Sequence, residues 1–392
     1  MGAFEPLRQR GFSLYFAGQV VSNVGTWFQN LALQLVVLAA TGSAQTLSGV
    51  TIAQFLPILV FGVAAGRLAD RVRPRTILLC TSALAAGVTA ALALVVGEPD
   101  PGIPVLYALV AVLGTVQAFE RIAGQAIIFE LVGAAALARA VSISTIALAA
   151  ARSIGPGLAG IAFAQLGASA CMLLNAASFV AVGLSLLLIR PASLHERPAR
   201  SDAAPVRTTD LLRHRSVSTL LIANVVIALF AMNFGLVLTA TVDLSYGGDA
   251  TAVGATHALN AIGAIIGGGI AAALPRVDVR SLAPAAAVFG GALLLNAAAP
   301  TLALFLLAGP VLGLAIGYYQ GVLNAAAQSS VAPAAIGRVM SLVTLGNYGM
   351  VPFGALLMGW VIDASSGLVS LLIGGVAALA CAVLIAVRAP RA

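Results

Sequence analysis

The chain is built from long apolar runs that charged residues interrupt only at intervals. Hydrophobic residues make up 60% of its 392 residues, whereas charged residues make up only 8%. A soluble domain is typically about 45–50% apolar and about 25% charged, so a soluble enzyme and a disordered chain are both excluded. The runs are continuous and do not alternate with polar residues, as the strands of a membrane barrel would. The sequence therefore predicts an all-α membrane protein that has the lipid bilayer as its surroundings.

Twelve runs reach the length of about 20 apolar residues that a membrane-spanning helix needs. A polar connector at 190–216 divides these runs six and six. We therefore expect an N-terminal six-helix bundle over 1–189, a cytoplasmic linker over 190–216 and a C-terminal six-helix bundle over 217–392. The twelve predicted spans are 12–39, 47–69, 76–96, 103–128, 139–165, 169–189, 217–242, 251–274, 281–298, 302–326, 338–362 and 368–387.

An internal repeat supports the division into halves. Leu-Ala-Arg-Ala-Val-Ser around Arg139 matches Ile-Gly-Arg-Val-Met-Ser around Arg338. Pro156 and Pro352 then occupy matching places in the fifth helix of each half. Two similar six-helix halves are the architecture of a transporter that rocks between two states.

The basic residues are distributed asymmetrically between the connectors. All 20 are Arg, and 18 of them lie in or beside alternate connectors, while the connectors between them hold none. We name the two sets of connectors the arginine-rich end and the arginine-free end. The positive-inside rule places the arginine-rich end and both termini in the cytoplasm, in a multi-pass protein of the cytoplasmic membrane. Because these Arg residues are not clustered on a soluble face, nucleic acid is not an expected partner. The arginine-free connectors are 40–46, 97–102, 166–168, 243–250, 299–301 and 363–367.

The sequence offers no site for a metal, a cofactor or catalysis. Its three cysteines are scattered through apolar runs, and no His, Cys or carboxylate cluster has metal-ligand spacing. The Gly267-Gly268-Gly269 stretch lacks the Lys and Ser or Thr of a phosphate loop. We interpret this triple glycine as a site of tight helix packing and expect neither a cofactor nor an enzyme activity.

A motif follows the second predicted helix at the arginine-rich end. It resembles the loop signature of the major facilitator superfamily and lies where that signature belongs. Other stretches resemble the enterobactin-exporter-like branch, whose members carry drugs and siderophores. That branch usually has an Asp-Asn-Pro-x-Arg-like cluster in the fourth helix, where this chain reads Glu120-Arg121-Ile122-Ala123-Gly124. The motif is Gly66-Arg67-Leu68-Ala69-Asp70-Arg71-Val72-Arg73-Pro74-Arg75, and the other stretches include Gly18-Gln19-Val20-Val21-Ser22, Glu130-Leu131-Val132-Gly133, Ala151-Arg152-Ser153-Ile154-Gly155-Pro156 and Gly337-Arg338-Val339-Met340.

The resemblance implies the major facilitator fold, in which twelve transmembrane helices form two pseudo-symmetric six-helix bundles. It also implies a cytoplasmic gate that contains Gly66, Asp70, Arg71 and Arg75. Asp70 and Arg71 would form a charged latch, and Gly66 would allow a neighbouring helix to approach closely. The alternative is that these Arg residues only anchor the topology.

Amide side chains recur at helical spacing on the first, fourth and tenth predicted helices, and the seventh contributes two more. In those three helices, offsets of four and seven residues place the polar side chains on one face, and lipid cannot satisfy their hydrogen bonds. Amides that join helices are the alternative, but one or two per helix would suffice for that role. We predict a substrate cavity lined by Gln19, Asn23, Asn30 and Gln34 in the first helix, Gln117, Arg121 and Gln125 in the fourth, Asn224 and Asn233 in the seventh, and Gln320, Asn324 and Gln328 in the tenth.

Ionisable residues inside the spans are candidates for coupling. Charges inside a membrane are usually paired or functional, and we expect Glu120 to pair with Arg152 on the neighbouring helix. Glu120 is then either a structural partner of Arg152 or a proton carrier. His257 in the eighth helix is a second candidate, although a single intramembrane His is more often only hydrogen-bonded.

These observations predict a secondary active transporter that exports a small amphipathic compound, such as a drug, an antibiotic or a siderophore. We expect proton antiport with alternating access and a monomeric protein. An uptake carrier for a small metabolite on the same fold is the alternative. A membrane scaffold that does not transport is less favoured, because it would not need four rows of polar side chains.

Overall fold

The computed structural model describes residues 5–191, 194–195, 208–332 and 335–389, apart from the side chains at positions 63, 149, 152, 153 and 208–210. All regular secondary structure in these ranges is helical. Eleven helical stretches in the described part are long and apolar enough to cross a membrane. Two of these stretches, Ile103–Leu148 and Ile154–Leu188, belong to one helical run, which two glycines divide into three segments.

The helices are labelled α1 to α12 in chain order, with the glycine-divided run counted as three. A short helix at Thr208–Arg213 precedes α7, and a turn of 3₁₀ helix at Val279–Ser281 precedes α9. The bounds are α1 Arg10–Thr41, α2 Ala44–Arg71, α3 Pro74–Val95, α4 103–132, α5 134–166, α6 168–188, α7 Arg215–Ser245, α8 Ala250–Ala272, α9 Leu282–Ala297, α10 Leu302–Ser329, α11 Ile336–Ala364 and α12 Gly367–Arg388.

Two glycines set the boundaries of α4, α5 and α6. Gly133 has φ 68° and ψ 175°, and Gly167 has φ 81° and ψ 175°, which is backbone that only glycine adopts without strain. The fourth helix, predicted to end at about 128, continues to Gly133, and the predicted start of the fifth at about 139 is wrong, because helix resumes directly after Gly133. As a consequence Arg139 lies within α5 and not in a connector. It forms an ion pair with Glu5 at 3.1 Å.

The seventh span is interrupted, although the sequence predicts one continuous helix over 217–242. Helix ends at Ala231, resumes at Phe234 and closes with a π-helical turn over Thr241–Ser245. Met232 and Asn233 have non-helical backbone. Broken spans are tolerated in membranes only where other protein groups satisfy the freed backbone.

The chain divides into two compact units. The first unit comprises Met1–Ala40 and Ala53–Ser201, and the second comprises Thr41–Ile52 and Asp202–Ala392. The start of α2 therefore clusters with the second unit and its remainder with the first. Within the first unit α3 packs on the α4–α6 run, and within the second α8 packs on α10, α9 on α12, and α7 on α11 and α12.

A row of glycines joins α8 to α10. A Cβ atom at any of four glycines would overlap a backbone carbonyl of the opposite helix, so the two backbones are in direct contact. Spacing of four residues between small side chains is the usual means by which membrane helices approach closely. The glycine and carbonyl pairs are Gly263 with Pro310, Gly267 with Leu314, Gly313 with Asn260 and Gly317 with Ala264.

The tight helix packing expected at the triple glycine is found at only part of this stretch. Gly267 belongs to the row described above, whereas a Cβ at Gly269 would meet no atom within 4 Å. Helical geometry explains the difference, because a shift of two residues turns a side chain to the opposite face of the helix.

Candidate functional site

The amides of α1 lie on a half-buried face of the first unit. Gln19, Asn23, Asn30 and Gln34 are each partly exposed. The Nε2 of Gln19 donates to the hydroxyl of Tyr15 at 2.7 Å, and the Oδ1 of Asn30 accepts from Gln54 at 3.5 Å. This row of amides, the α1 stripe, is therefore not part of the closed core.

The predicted residues of α4 approach the same end of the stripe. Gln117 and Glu120 are half-buried, while Arg121 and Gln125 are exposed. The hydroxyl of Tyr15 lies 3.3 Å from the position that a Cβ would take at Gly124. Glu120 is close enough to Tyr15 and to Arg121 to interact with both electrostatically. The structure thus brings Gln19, Tyr15 and Glu120 together.

The predicted pair of Glu120 with Arg152 falls outside the described residues, because the side chain of Arg152 is not among them. The pairing stays a prediction. Within the described side chains, Arg121 is the Arg that acts on Glu120.

Glu130 is a second acid inside α4, which sequence reasoning missed. The predicted fourth span, 103–128, contains Glu120 but not Glu130. Glu130 lies inside the helix and its side chain is only 6% exposed. It has an interaction partner, and its carbonyl accepts a hydrogen bond from the backbone of His195 at 2.8 Å.

The predicted residues of α10 are on a comparable face of the second unit. Gln320 and Asn324 are half-buried, and Gln328 is exposed. The Nε2 of Gln320 lies 3.8 Å from the sulfur of Met232 at the break in α7. The interruption of α7 thus lies beside the first amide of this stripe.

The two amides of α7 are buried, whereas the predicted cavity amides of α1 and α10 are half-buried or exposed. Asn224 is 1% exposed and donates to the carbonyl of Val343 in α11 at 3.0 Å, and Asn233 is 6% exposed and donates to Ala228 and Leu229 at 3.4 Å. Asn233 thus supplies a donor to carbonyls that the helix break frees. Both side chains are buried inside the second unit and donate to helix carbonyls, and their assignment to the substrate cavity stays a prediction.

His257 lies on α8 facing α7. Its Nε2 is 3.0 Å from the hydroxyl of Thr239. Thr239 is fully buried, so this contact fixes one ring nitrogen of the imidazole within the second unit.

The predicted gate residues lie at the end of α2 and the start of α3. Asp70 and Arg71 are exposed at the end of α2, and Asp70 has an interaction partner. A Cβ at Gly66 would meet nothing within 4 Å, so the close helix approach expected there is absent among the described residues. The Nε of Arg75 donates to the carbonyl of Leu186 at 2.9 Å, near the end of α6. Arg75 therefore satisfies a helix C-terminus.

A buried polar cluster in the first unit was also missed. The Oε1 of Gln29 accepts hydrogen bonds from Asn175 at 2.7 Å and from Thr89 at 3.2 Å. Ser178 donates to the carbonyl and the Oδ1 of Asn175 at 2.7 and 2.9 Å. These side chains are no more than 3% exposed, so the cluster joins α1, α3 and α6 and offers no open position.

At the arginine-free end, the start of α2 is held by a carboxylate from α11. Asp363 accepts hydrogen bonds from the hydroxyl of Ser43 at 2.5 Å and from the backbone N–H groups of Ala44 at 2.7 Å and Gln45 at 3.0 Å. A Cβ at Gly359 would lie 2.8 Å from the carbonyl oxygen of Ala44. Free N–H groups at a helix start attract a carboxylate, so Asp363 caps α2 from 320 residues away.

Proteins of known function share the length and arrangement of this chain. The profile of a family described as transmembrane secretion effector matches residues 1–391. Macrolide efflux protein A of Streptococcus pyogenes is 23% identical, with 90% of this chain and 89% of that protein covered. The staphyloferrin A transporter of Staphylococcus aureus is 25% identical over 89% of each chain, and the multidrug efflux pump Tap of Mycolicibacterium fortuitum is 26% identical over 88% of each.

Solved transporter structures have the same fold. A bacterial homologue of the iron transporter ferroportin, in an inward-facing state, superposes with a TM-score of 0.77 at 16% identity, covering 97% of this chain and 99% of its own. The nucleoside transporter NupG superposes with a TM-score of 0.70 at 12% identity, covering 96% of this chain and all of its own. The resemblance and the all-helical fold class deduced from the sequence are therefore confirmed. The chain belongs to the transmembrane secretion effector family of the major facilitator superfamily, and it is a multi-pass membrane transporter for a small molecule, not an enzyme.

Proposed function

We propose that this transporter exports a small amphipathic compound, such as a drug, an antibiotic or a siderophore, by proton antiport. The direction depends on one observation, which is the similarity over nearly the whole chain to macrolide efflux protein A and to the multidrug efflux pump Tap. The half-buried amides of α1 and α10 support an uncharged or weakly charged polar substrate. Such amides bind carbonyl and hydroxyl groups without selecting one charge.

Glu120 is the proposed proton site. It lies half-buried beside Tyr15, which Gln19 of the substrate stripe holds through a 2.7 Å hydrogen bond. A compound that binds Gln19 would disturb this contact and change the surroundings of the Glu120 carboxyl. Substrate binding and proton release would then be linked through two side chains.

The proposed setting is the cytoplasmic membrane, with both termini in the cytoplasm and the protein active as a monomer. The arginine-rich connectors support this orientation. A two-bundle division on either side of the 190–216 linker supports alternating access between the membrane faces.

Vesicle transport tests direction and coupling together. Inside-out vesicles with an imposed proton gradient should accumulate the substrate that a toxic-compound screen of deletion and overexpressing strains identifies. Accumulation that a protonophore abolishes is the expected result. Accumulation in right-side-out vesicles instead would establish uptake, and binding without movement in either orientation would indicate a scaffold.

A further inference from the structure

Trp27 interrupts the row of amides on α1. At about 100° per residue, the side chains at 19, 23, 27, 30 and 34 fall within about 80° of one another around the helix axis. Gln29, which is buried in the polar cluster with α3 and α6, points about 200° away from Trp27. Trp27 is half-buried, so its ring lies on the same partly open face as the amides.

The ring of Trp27 lies directly on the backbone of α5. A Cβ at Gly155 would be 2.5 Å from the Cδ1 of Trp27 and 2.8 Å from its Cγ. Any larger residue at 155 would displace the indole. Because Gly155 has no side chain, the ring packs on its backbone in one fixed orientation. The next residue, Pro156, is buried.

The corresponding position of the second unit holds no aromatic ring. Gly354 in α11 follows Arg338 at the same distance as Gly155 follows Arg139, although Pro156 and Pro352 are three residues out of this register. A Cβ at Gly354 would overlap the amide nitrogen of Asn233, whose donors are used within α7. The space beside the glycine is thus filled by the packing residue Asn233 in the second unit and by the half-buried indole of Trp27 in the first unit. Packing alone does not require an indole at this position.

We infer that Trp27, seated on Gly155, is a specificity-determining residue that receives a flat aromatic part of the transported compound. The inference rests on the proposed function. Asn23 and Asn30 lie about 6 Å and about 4.5 Å from Trp27 along the helix axis. A flat apolar group on the indole would therefore place its polar substituents within reach of an amide on either side. Aromatic walls with a few fixed polar groups are the usual composition of small-molecule sites.

Transport of two antibiotics tests this role. Puromycin carries flat aromatic rings and erythromycin has none, while both are amphipathic amines. Trp27→Leu should reduce puromycin efflux by about tenfold relative to erythromycin efflux, and Trp27→Phe should retain most of the preference. Gly155→Ala should produce the same selective loss by displacing the ring. Gly87→Ala is the matched control, because a Cβ there meets nothing within 4 Å.

A binding measurement separates this inference from the proposed function. The chain has two tryptophans, and Trp360 is 61% exposed, so Trp360→Phe leaves Trp27 as the only fluorescent indole. Puromycin should quench Trp27 saturably, and erythromycin should not. If neither antibiotic is exported by the parent protein, the proposed function fails for these compounds, and the quenching still decides the role of Trp27.

Three results would overturn the inference. One is the absence of saturable quenching by puromycin. Another is an equal loss of both efflux activities in Trp27→Leu. The third is a fall in melting temperature that accounts for the loss in transport, since that outcome makes Trp27 a packing residue.

Discussion

At the scale of single residues, Glu120 is the proposed proton site and lies close to the proposed substrate stripe of α1. Glu120→Gln should abolish gradient-driven accumulation while downhill substrate exchange continues, because a neutral amide cannot carry the proton. Proteoliposome transport with and without an imposed gradient measures both activities. Glu130→Gln is the matched variant, since Glu130 is the other acid in α4 and is buried.

The structural alternative for Glu120 has a distinct outcome. If Glu120 only neutralises Arg152, Glu120→Gln should lower expression or stability by leaving a buried charge unpaired. Glu120→Gln combined with Arg152→Gln should then restore both folding and coupled transport. Coupled transport in the double variant would exclude Glu120 as the proton site and make His257 the next candidate.

Variants of Asn324 and Asn224 test the proposed distinction between amides that bind the ligand and amides that pack helices together. Asn23→Leu and Asn324→Leu should weaken substrate binding and leave the melting temperature close to that of the parent, because each amide is half-buried. Asn224→Leu should lower stability by about 1–3 kcal/mol, since its amide is buried against α11. Binding and melting measured on the same preparations test the distinction. A loss of stability alone in Asn324→Leu would reject the cavity assignment.

At the scale of helices, the contact between α8 and α10 tolerates no added atom. Gly267→Ala should lower the free energy of unfolding by about 1–3 kcal/mol, because its Cβ would overlap the carbonyl of Leu314. Gly269→Ala is the control two residues away and should be neutral or stabilise the helix by up to about 1 kcal/mol. Thermal unfolding in detergent compares them. Equal effects at both positions would contradict the direct backbone contact.

The cap on α2 belongs to the same scale. Asp363→Asn should lower stability by about 0.5–2 kcal/mol, the usual range for loss of a helix cap, because the charged acceptor of three hydrogen bonds is replaced. Asp100→Asn is the control, since Asp100 is an exposed acid at the same arginine-free end. An unchanged melting temperature for Asp363→Asn would show that the contact contributes nothing to the folded state.

At the scale of the whole molecule, Asp70 should affect the populations of the transport states and not the fold. Asp70→Asn should leave insertion and melting temperature unchanged while slowing transport. A bias of about 1.4 kcal/mol between inward-open and outward-open states shifts their ratio about tenfold. Accessibility labelling measures the shift, with Arg73→Gln as the control that should change neither property. Parental rates and labelling in purified Asp70→Asn would remove the latch from the mechanism.

Hydropathy predicted the number and order of the spans because crossing a bilayer imposes a length that any sequence must meet. It did not predict where helices end inside apolar surroundings. Gly133 ends α4 through its backbone angles, and no polar run marks the place. The break at Met232 and Asn233 likewise contains no charged residue, glycine or proline that would predict it.

Helical spacing predicted which amides share a face but not what that face contacts. Gln29 and Gln34 are both amides of α1, yet Gln29 is bound in the core by Asn175 and Thr89. The spacing correctly left Gln29 out of the stripe. Spacing within α7 carries no information on the surroundings of Asn224, because the neighbour that buries it is more than a hundred residues distant in the chain.

The cap of Asp363 on α2 has a consequence for the order of synthesis. Residues 43–45 leave the ribosome 320 residues before their acceptor does, which is a wait of about 15–60 s at about 5–20 residues per second. During that interval the N–H groups of Ala44 and Gln45 have water and lipid headgroups as acceptors. The start of α2 therefore reaches its final acceptor only after α11 has been made, so a ribosome that stalls before α11 leaves a nascent chain in which these two N–H groups lack the Asp363 carboxylate.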